Sequence, residues 1–132
     1  MGSWLSNQAE ELVSFLKRGD AGAAALKTVL YGSEIEIIAG TSYTLVATDA
    51  GKTLKTTSGS AVSITVPAGL SLAAPVFIWQ YGAGQVTMVE GSGVHIRSAE
   101  TLLLAKQYAK VELGPTDTAD EYFLSGYLQA AA

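Results

Sequence analysis

Residues 76–93 have the sequence VFIWQYGAGQVTMVEGSG, in which two short apolar runs are each followed by paired glycines. The first run, residues 76–81, has large apolar side chains at both odd and even positions, and the second, residues 86–89, is mainly β-branched. Such runs between turn residues are typical of β-strands. The stretch therefore predicts consecutive strands that glycine turns join into two β-hairpins.

Short runs and turn residues continue to alternate on both sides of this stretch, from Gly40 to the C-terminus. Val62, Ile64 and Val66 alternate with small or polar residues, as in a strand with one buried face. Strands are predicted at 43–48, 53–57, 61–66, 76–81, 86–89, 94–97, 107–113 and 121–128, with a further strand or extended connector at 34–37. This pattern predicts a mainly β protein, a small antiparallel β-sandwich or barrel-like module of short hairpins.

The N-terminal part of the chain has a different periodicity. Leu5, Leu12 and Leu16 lie on one stripe of an amphipathic helix, and Gly19 is suited to end that helix. A second helix is predicted over residues 21–31. Together they form a predicted α-helical hairpin, which is too small to be stable alone and must dock on another surface.

The change of periodicity near Gly40 predicts the domain organisation. We assign residues 1–38 to a helical attachment segment and residues 39–132 to a β-module. Within the first segment, Leu5, Leu12 and Leu16 are the candidate attachment residues, because they form its apolar stripe.

The composition excludes several classes of protein. Hydrophobic residues make up 48% of the chain and charged residues only 15%, against an average of about 25%, so the chain folds and part of its surface is expected to be covered by other subunits. The net charge of −4 and the scattered basic residues argue against nucleic-acid binding. No apolar run approaches the roughly 20 residues that cross a bilayer, so no membrane partner is predicted.

The sequence contains no recognisable catalytic constellation. The chain has no cysteine and a single histidine, His95, which alternation places beside Arg97 on the polar face of a strand. Residues 50–53 lack the first glycine of a phosphate-binding loop, and a turn is the better interpretation. The acidic residues at 117–121 form a run too short for a calcium loop. We predict a protein that is not an enzyme and binds no cofactor or metal.

Residues 76–81 are the candidate site of subunit contact. One face of this strand can point into the core of the module, but the other also carries large apolar side chains and needs a cover. Phe77, Trp79 and Tyr81 are therefore the candidate interface residues. As an alternative, the rings of Trp79 and Tyr81 could form a platform that stacks on sugars.

Six short motifs of the β-module occur in a characteristic order along the chain. They are YTL at 43–45, DAGK at 49–52, SITVP at 63–67, QYGAGQVT at 80–87, GSGV at 91–94 and LSG at 124–126. In this order they resemble a β-module that recurs in tailed-bacteriophage virion proteins, over about residues 42–128. Tyr122 and Phe123 stand where that family commonly has a tryptophan.

This resemblance implies a function and a set of partners. It implies a homotrimeric, surface-exposed structural piece on a virion, made in the cytoplasm of the bacterial host and attached to capsid or tail proteins. The short chain favours a capsid decoration protein, a short head fibre or an adaptor, with the helical segment on the particle and the β-module outward. The alternative function is recognition of a host glycan by a tail fibre.

Overall fold

The structure is a computed structural model that describes residues 34–131. This part of the chain forms nine β-strands and one short 3-10 helix, Ala47–Asp49. The strands are β1 (Ile35–Ile38), β2 (Ser42–Thr44), β3 (Thr53–Thr56), β4 (Val62–Val66), β5 (Val76–Gln80), β6 (Val86–Glu90), β7 (His95–Ser98), β8 (Lys110–Pro115) and β9 (Glu121–Gly126). The mainly β prediction is confirmed, whereas the predicted helical hairpin, with Leu5, Leu12 and Leu16, lies outside the described residues.

The strands form two sheets, and the first six strands alternate between them. The six-stranded sheet has the order β1-β3-β5-β8-β9-β7, and the three-stranded sheet has the order β2-β4-β6. All neighbours among β1 to β6 are parallel, with Thr53 of β3 paired to Ile35 of β1 and to Phe77 of β5. Each successive pair of strands is thus one turn of a β-solenoid, stacked on the turn before it.

The predicted antiparallel sandwich or barrel is therefore wrong, and so are the two hairpins predicted in residues 76–93. β5 and β6 lie in different sheets, as do β6 and β7. The glycine segments between them are corners at which the chain passes from one sheet to the other. Only β8 and β9 are consecutive strands paired antiparallel, with Leu113 opposite Leu124.

The core lies between the two sheets and is built by alternate residues of each strand. In β5, Val76 and Ile78 are fully buried, and Ile78 is in register with Leu54 of β3 and Val111 of β8. Equivalent positions in successive turns therefore stack on one another inside the solenoid. This arrangement confirms that one face of β5 points into the module's own core.

Two corners approach each other so closely that only glycine fits. A Cβ atom added to Gly82 would lie 2.3 Å from the carbonyl oxygen of Ser58, and one added to Gly84 would lie 1.8 Å from that of Ser60. In addition, the amide of Gly84 donates to the Ser58 carbonyl at 3.0 Å. The absence of a side chain at these two glycines therefore allows successive turns of the solenoid to stack closely.

The two ends of the solenoid differ within residues 34–131. After the last parallel turn, β8 pairs antiparallel with β5, and Leu103 bridges antiparallel to Thr87 of β6. At the other end, β1 and β2 are the outermost strands of their sheets. β1 lies in the segment assigned from sequence to residues 1–38, so the β-module includes residues 35–38.

Candidate interaction surface

The outer face of the six-stranded sheet carries three large exposed apolar side chains of the described region, Ile35, Ile37 and Phe123. Register places Ile37, Lys55, Trp79 and Lys110 in one row across β1, β3, β5 and β8. The outer face of the three-stranded sheet instead carries mainly short hydroxyl side chains, at Ser42, Thr44, Ser63, Thr65 and Thr87. The solenoid thus has one hydroxyl-rich face and one face of large apolar side chains interspersed with lysines, which we call the apolar face.

Two isoleucines on β1 are the most exposed aliphatic side chains on the apolar face. Ile35 is 57% exposed and Ile37 is 61% exposed. Both are β-branched residues on the outermost strand of the sheet, a position at which exposed apolar side chains favour association. We call these two residues the isoleucine pair.

Three aromatic rings meet where β5 ends. The rings of Trp79 and Tyr81 are in edge-to-face contact with centroids 5.3 Å apart, and Tyr81 makes a similar contact with Tyr108 at 5.6 Å. Tyr81 and Tyr108 are exposed, whereas Trp79 is half-buried. Edge-to-face geometry is the favourable arrangement of aromatic quadrupoles, so the cluster is held without burial of its outer rings.

Lysine ammonium groups lie among these rings. Lys55 Nζ is 4.0 Å from the centroid of Tyr81 and 5.3 Å from that of Trp79, and Lys110 Nζ is 5.3 Å from that of Phe77. These distances are those of cation–π contacts. We call this group the aromatic–lysine cluster; its members are Lys55, Phe77, Trp79, Tyr81, Tyr108 and Lys110.

The backbone presents Tyr108 in an unusual conformation. Its φ of 72° lies in the left-handed region, which costs a residue with a Cβ about 1 kcal/mol. Its amide donates to the Gln80 carbonyl at 2.6 Å, and Gln107 Nε2 donates to the Tyr81 carbonyl at 3.1 Å. These bonds tie the loop to the end of β5 and hold the Tyr108 ring beside Tyr81.

The structure places the three predicted interface residues close together. Phe77 and Trp79 point outward from β5 and are half-buried, and Tyr81 follows the strand and is exposed. The isoleucine pair, Tyr108 and the lysines were not among the residues predicted from the sequence. The alternation of residues 34–37 was a signal for the isoleucines, whereas only tertiary folding brings Tyr108 and Lys55 to Tyr81.

A buried polar site lies near the first turn of the solenoid. Asp49 is fully buried, and its carboxylate accepts the Tyr43 hydroxyl at 3.0 Å and the Val46 amide at 2.9 Å. Burial, the hydrogen bond from Tyr43 to Asp49 and the negative charges of Asp49 and Glu36 raise the pKa of Tyr43 above its ordinary value. Because these partners lie in the same part of the chain, Asp49 holds the segment between β2 and β3 in place. The predicted turn is present, since the Lys52 amide donates to the Asp49 carbonyl at 2.9 Å, but it joins strands of different sheets.

A polar cavity of about 390 Å³ lies between residues 69–72 and 115–122. Asp120 accepts the Gly69 amide at 2.9 Å, and the Tyr122 hydroxyl donates to the Leu70 carbonyl at 2.7 Å. Burial, with a smaller effect of the Asp120 charge, raises the pKa of Tyr122. The acidic residues at 117–121 form a turn that leads into β9, and the hydrogen bonds of Asp120 and Tyr122 tie this turn to the neighbouring loop.

The remaining polar candidates lie on the surface. His95 is exposed on β7 beside Arg97, as its alternation predicts, and Arg97 pairs with Glu121 at 3.2 Å. Among residues 34–131, no group of three or more potential metal ligands is present. Nor does any helix in this part of the chain have the length and apolarity to cross a membrane.

No protein-family model, curated protein or solved structure matches the chain.

Proposed function

We propose that the chain is a homotrimeric, non-enzymatic structural protein of a bacteriophage virion, of the decoration, short head fibre or adaptor type. The β-solenoid is the exposed part, and the N-terminal segment attaches it to capsid or tail proteins. The virion setting and the number three rest on the motif resemblance. The role in assembly rests on the apolar face of the six-stranded sheet.

The exposed isoleucine pair is the observation that carries the assembly role. Parallel sheets are usually covered on both faces, yet Ile35 and Ile37 are each more than half exposed on one face of this sheet. The opposite face of the solenoid is rich in hydroxyl groups and suits water. A second copy that covers the apolar face would remove these isoleucines from solvent.

The isoleucine pair is a better centre for this contact than the aromatic residues. The Lys55 ammonium lies over the rings of Trp79 and Tyr81. Lys110 is the neighbour of Trp79 on the opposite strand, β8. Burial of ammonium groups without carboxylate partners is costly. The Lys110 ammonium lies over the Phe77 ring in the same way. We therefore place Ile35 and Ile37 at the centre of the subunit contact, and Phe77, Trp79 and Tyr81 at its solvated rim.

The mass of the particle in solution tests the assembly proposal. Analytical ultracentrifugation of the full chain is expected to give a trimer, and replacement of Ile35 and Ile37 by lysine is expected to give monomers. The matched control replaces Ser42 and Thr44 by lysine, because these exposed residues lie on the outer face of the other sheet. A monomeric wild type, or a trimer unaffected by the isoleucine substitutions, would contradict the proposal.

Co-sedimentation tests the attachment proposal separately. Particles that lack the native protein are mixed with the full chain or with a variant in which Leu12 and Leu16 are replaced by Asp. The variant is expected to remain folded and trimeric but to stay in the supernatant, since charge in an apolar contact opposes docking. Wild-type occupancy by the variant would place attachment in the solenoid.

A further inference from the structure

The aromatic–lysine cluster concentrates positive charge on an acidic protein. Within the described region, no carboxylate lies within salt-bridge distance of Lys55, Lys106 or Lys110, and each of these ammonium groups lies over an aromatic ring. The other two basic side chains of this region, Lys52 and Arg97, each face a glutamate. The lysines without a carboxylate partner are therefore those that lie among the rings.

The aromatic rings and the ammonium groups belong to one continuous surface. Lys55 and Lys110 flank Trp79 in the same row of the sheet, two strands apart. Neighbouring strands are about 4.8 Å apart. The backbones of Lys55 and Lys110 are therefore separated by roughly twice this distance, which is comparable to the length of one or two sugar residues. The amide of Tyr127 donates to the Lys110 carbonyl, so the backbone at the Lys106–Tyr127 contact adjoins that of Lys110.

The chemistry of this surface selects a particular class of ligand. Exposed rings stack on the apolar faces of pyranoses, and Tyr108 is 62% exposed. Ammonium groups held on rings, without carboxylate partners, can pair with the acid groups of a ligand. We infer that the aromatic–lysine cluster binds an acidic glycan, with Tyr108 as the stacking platform and Lys55 and Lys110 as the carboxylate partners.

Charge favours an acidic glycan over a nucleic acid. A nucleic acid has a phosphate at every nucleotide, and its binding proteins match this density with many basic residues. The chain has a net charge of −4, and Glu112 lies on the same face as Lys110. A ligand with fewer, more widely spaced acid groups fits two or three lysines better.

This inference does not depend on the proposed trimer or on the virion setting. The cluster shares its face with the isoleucine pair, since Lys55 is in register with Ile37. Its rings at the end of β5 and in the loop before β8 lie at the rim of the proposed subunit contact. Glycan binding can therefore fail while the trimer forms, and the reverse can also occur.

The binding test uses the full chain and a matched pair of sugars. Oligogalacturonate and its methyl ester have the same backbone, but only the first carries carboxylates. They are placed on an array with sialylated, sulfated and neutral glycans, and oligothymidylate is added as a nucleic-acid probe. We expect at least one acidic glycan to bind more than about tenfold more tightly than its neutral counterpart, and its affinity to fall as salt is raised.

Three variants assign the binding to the cluster. Lys55→Met and Tyr108→Asn are each expected to lower the affinity for the acidic glycan by about tenfold. Asparagine tolerates the left-handed backbone of Tyr108, so this variant should fold at least as well as the wild type. Lys52→Met removes the same charge outside the cluster and should leave binding unchanged.

Three results would overturn the inference. They are an array on which no acidic glycan binds more tightly than neutral ones, acidic-glycan binding that survives both cluster substitutions, and oligothymidylate binding as tight as that of the best glycan. The last result would identify a general polyanion surface.

Discussion

At the scale of single residues, Gly82 and Gly84 show why the chain can stack its turns. Both lie at the corner after β5, where the backbone passes directly beside residues 58–60 of the previous turn. Neither glycine has a positive φ, so the requirement is for space and not for backbone freedom. Any side chain there must push two turns of the solenoid apart.

Gly84→Ala is therefore expected to destabilise the protein by on the order of 3 kcal/mol, through overpacking against backbone that cannot move independently. Gly59→Ala is the matched control, because a Cβ at Gly59 meets nothing within 4 Å. Urea denaturation of both variants measures the difference. Equal midpoints for the two variants would show that the corners are not in contact.

The hydrogen bond between Tyr43 and Asp49 leads to a second prediction at this scale, about the stability of the protein at alkaline pH. The pKa of Tyr43 is raised in the folded protein, so the folded state holds this proton more tightly than the unfolded state. The stabilisation is complete below the unfolded pKa of about 10 and is lost as the pH rises above it. We expect the urea midpoint to fall above that pH, and Tyr43→Phe to reduce the fall.

Tyr122 must be tested together with Tyr43, because the pKa of Tyr122 is also raised. Tyr122→Phe should remove a separate part of the alkaline loss, and the double variant should remove more than either alone. Tyr127→Phe is the control, since Tyr127 is exposed. An alkaline midpoint that falls equally in the wild type and the double variant would contradict the assignment.

At the scale of elements, β7 is an outermost strand whose edge is partly blocked against pairing with another strand. β7 pairs only with β9, and the Glu90 carboxylate accepts the amide of Ile96 at 2.7 Å. A carboxylate on this amide removes a donor that another strand could use. The isoleucine pair on β1 is the opposite case, an outermost strand with exposed apolar side chains.

Glu90→Ala is expected to expose the edge of β7 and to promote association of solenoids through it. It should also lower stability by about 1–2 kcal/mol, because a charge-assisted hydrogen bond is lost. Light scattering against concentration measures the association, with Asp117→Ala as a control that removes an exposed carboxylate from the loop before β9. No increase in association for Glu90→Ala would mean that the edge is protected in another way.

At the scale of the whole molecule, the described region is a short solenoid with different ends. The last turn is covered by β8 and by the Leu103 bridge, whereas β1 and β2 have a strand neighbour on one side only. Local stability in stacked repeats depends on neighbouring repeats. The middle strands should therefore be the most stable part of the module.

Hydrogen exchange can measure this gradient. We expect the slowest amide exchange in β5, which lies between β3 and β8, and faster exchange in β2, which pairs only with β4. Because oligomerisation would protect β1, exchange is compared between the wild type and the Ile35→Lys, Ile37→Lys variant. Uniform protection across all strands would show that the module opens only as a unit.

The local pattern was enough to locate the strands and their faces. Alternation identified the inward residues of β4 and the exposed position of His95, and all eight predicted strands overlap observed ones. This succeeds because a strand's two faces follow from its own period of two residues. The same reasoning predicted the extended segment at residues 34–37, where β1 lies.

Which strands are neighbours was decided only by the tertiary structure. Alternation is the same in parallel and antiparallel sheets, and glycine serves equally in a hairpin turn and in a corner where two turns touch. The 1.8 Å approach at Gly84 depends on residues 58–60, far away in sequence. For the same reason, Tyr81 could be named from the sequence, but its contacts with Lys55 and Tyr108 depend on pairings that local sequence does not encode.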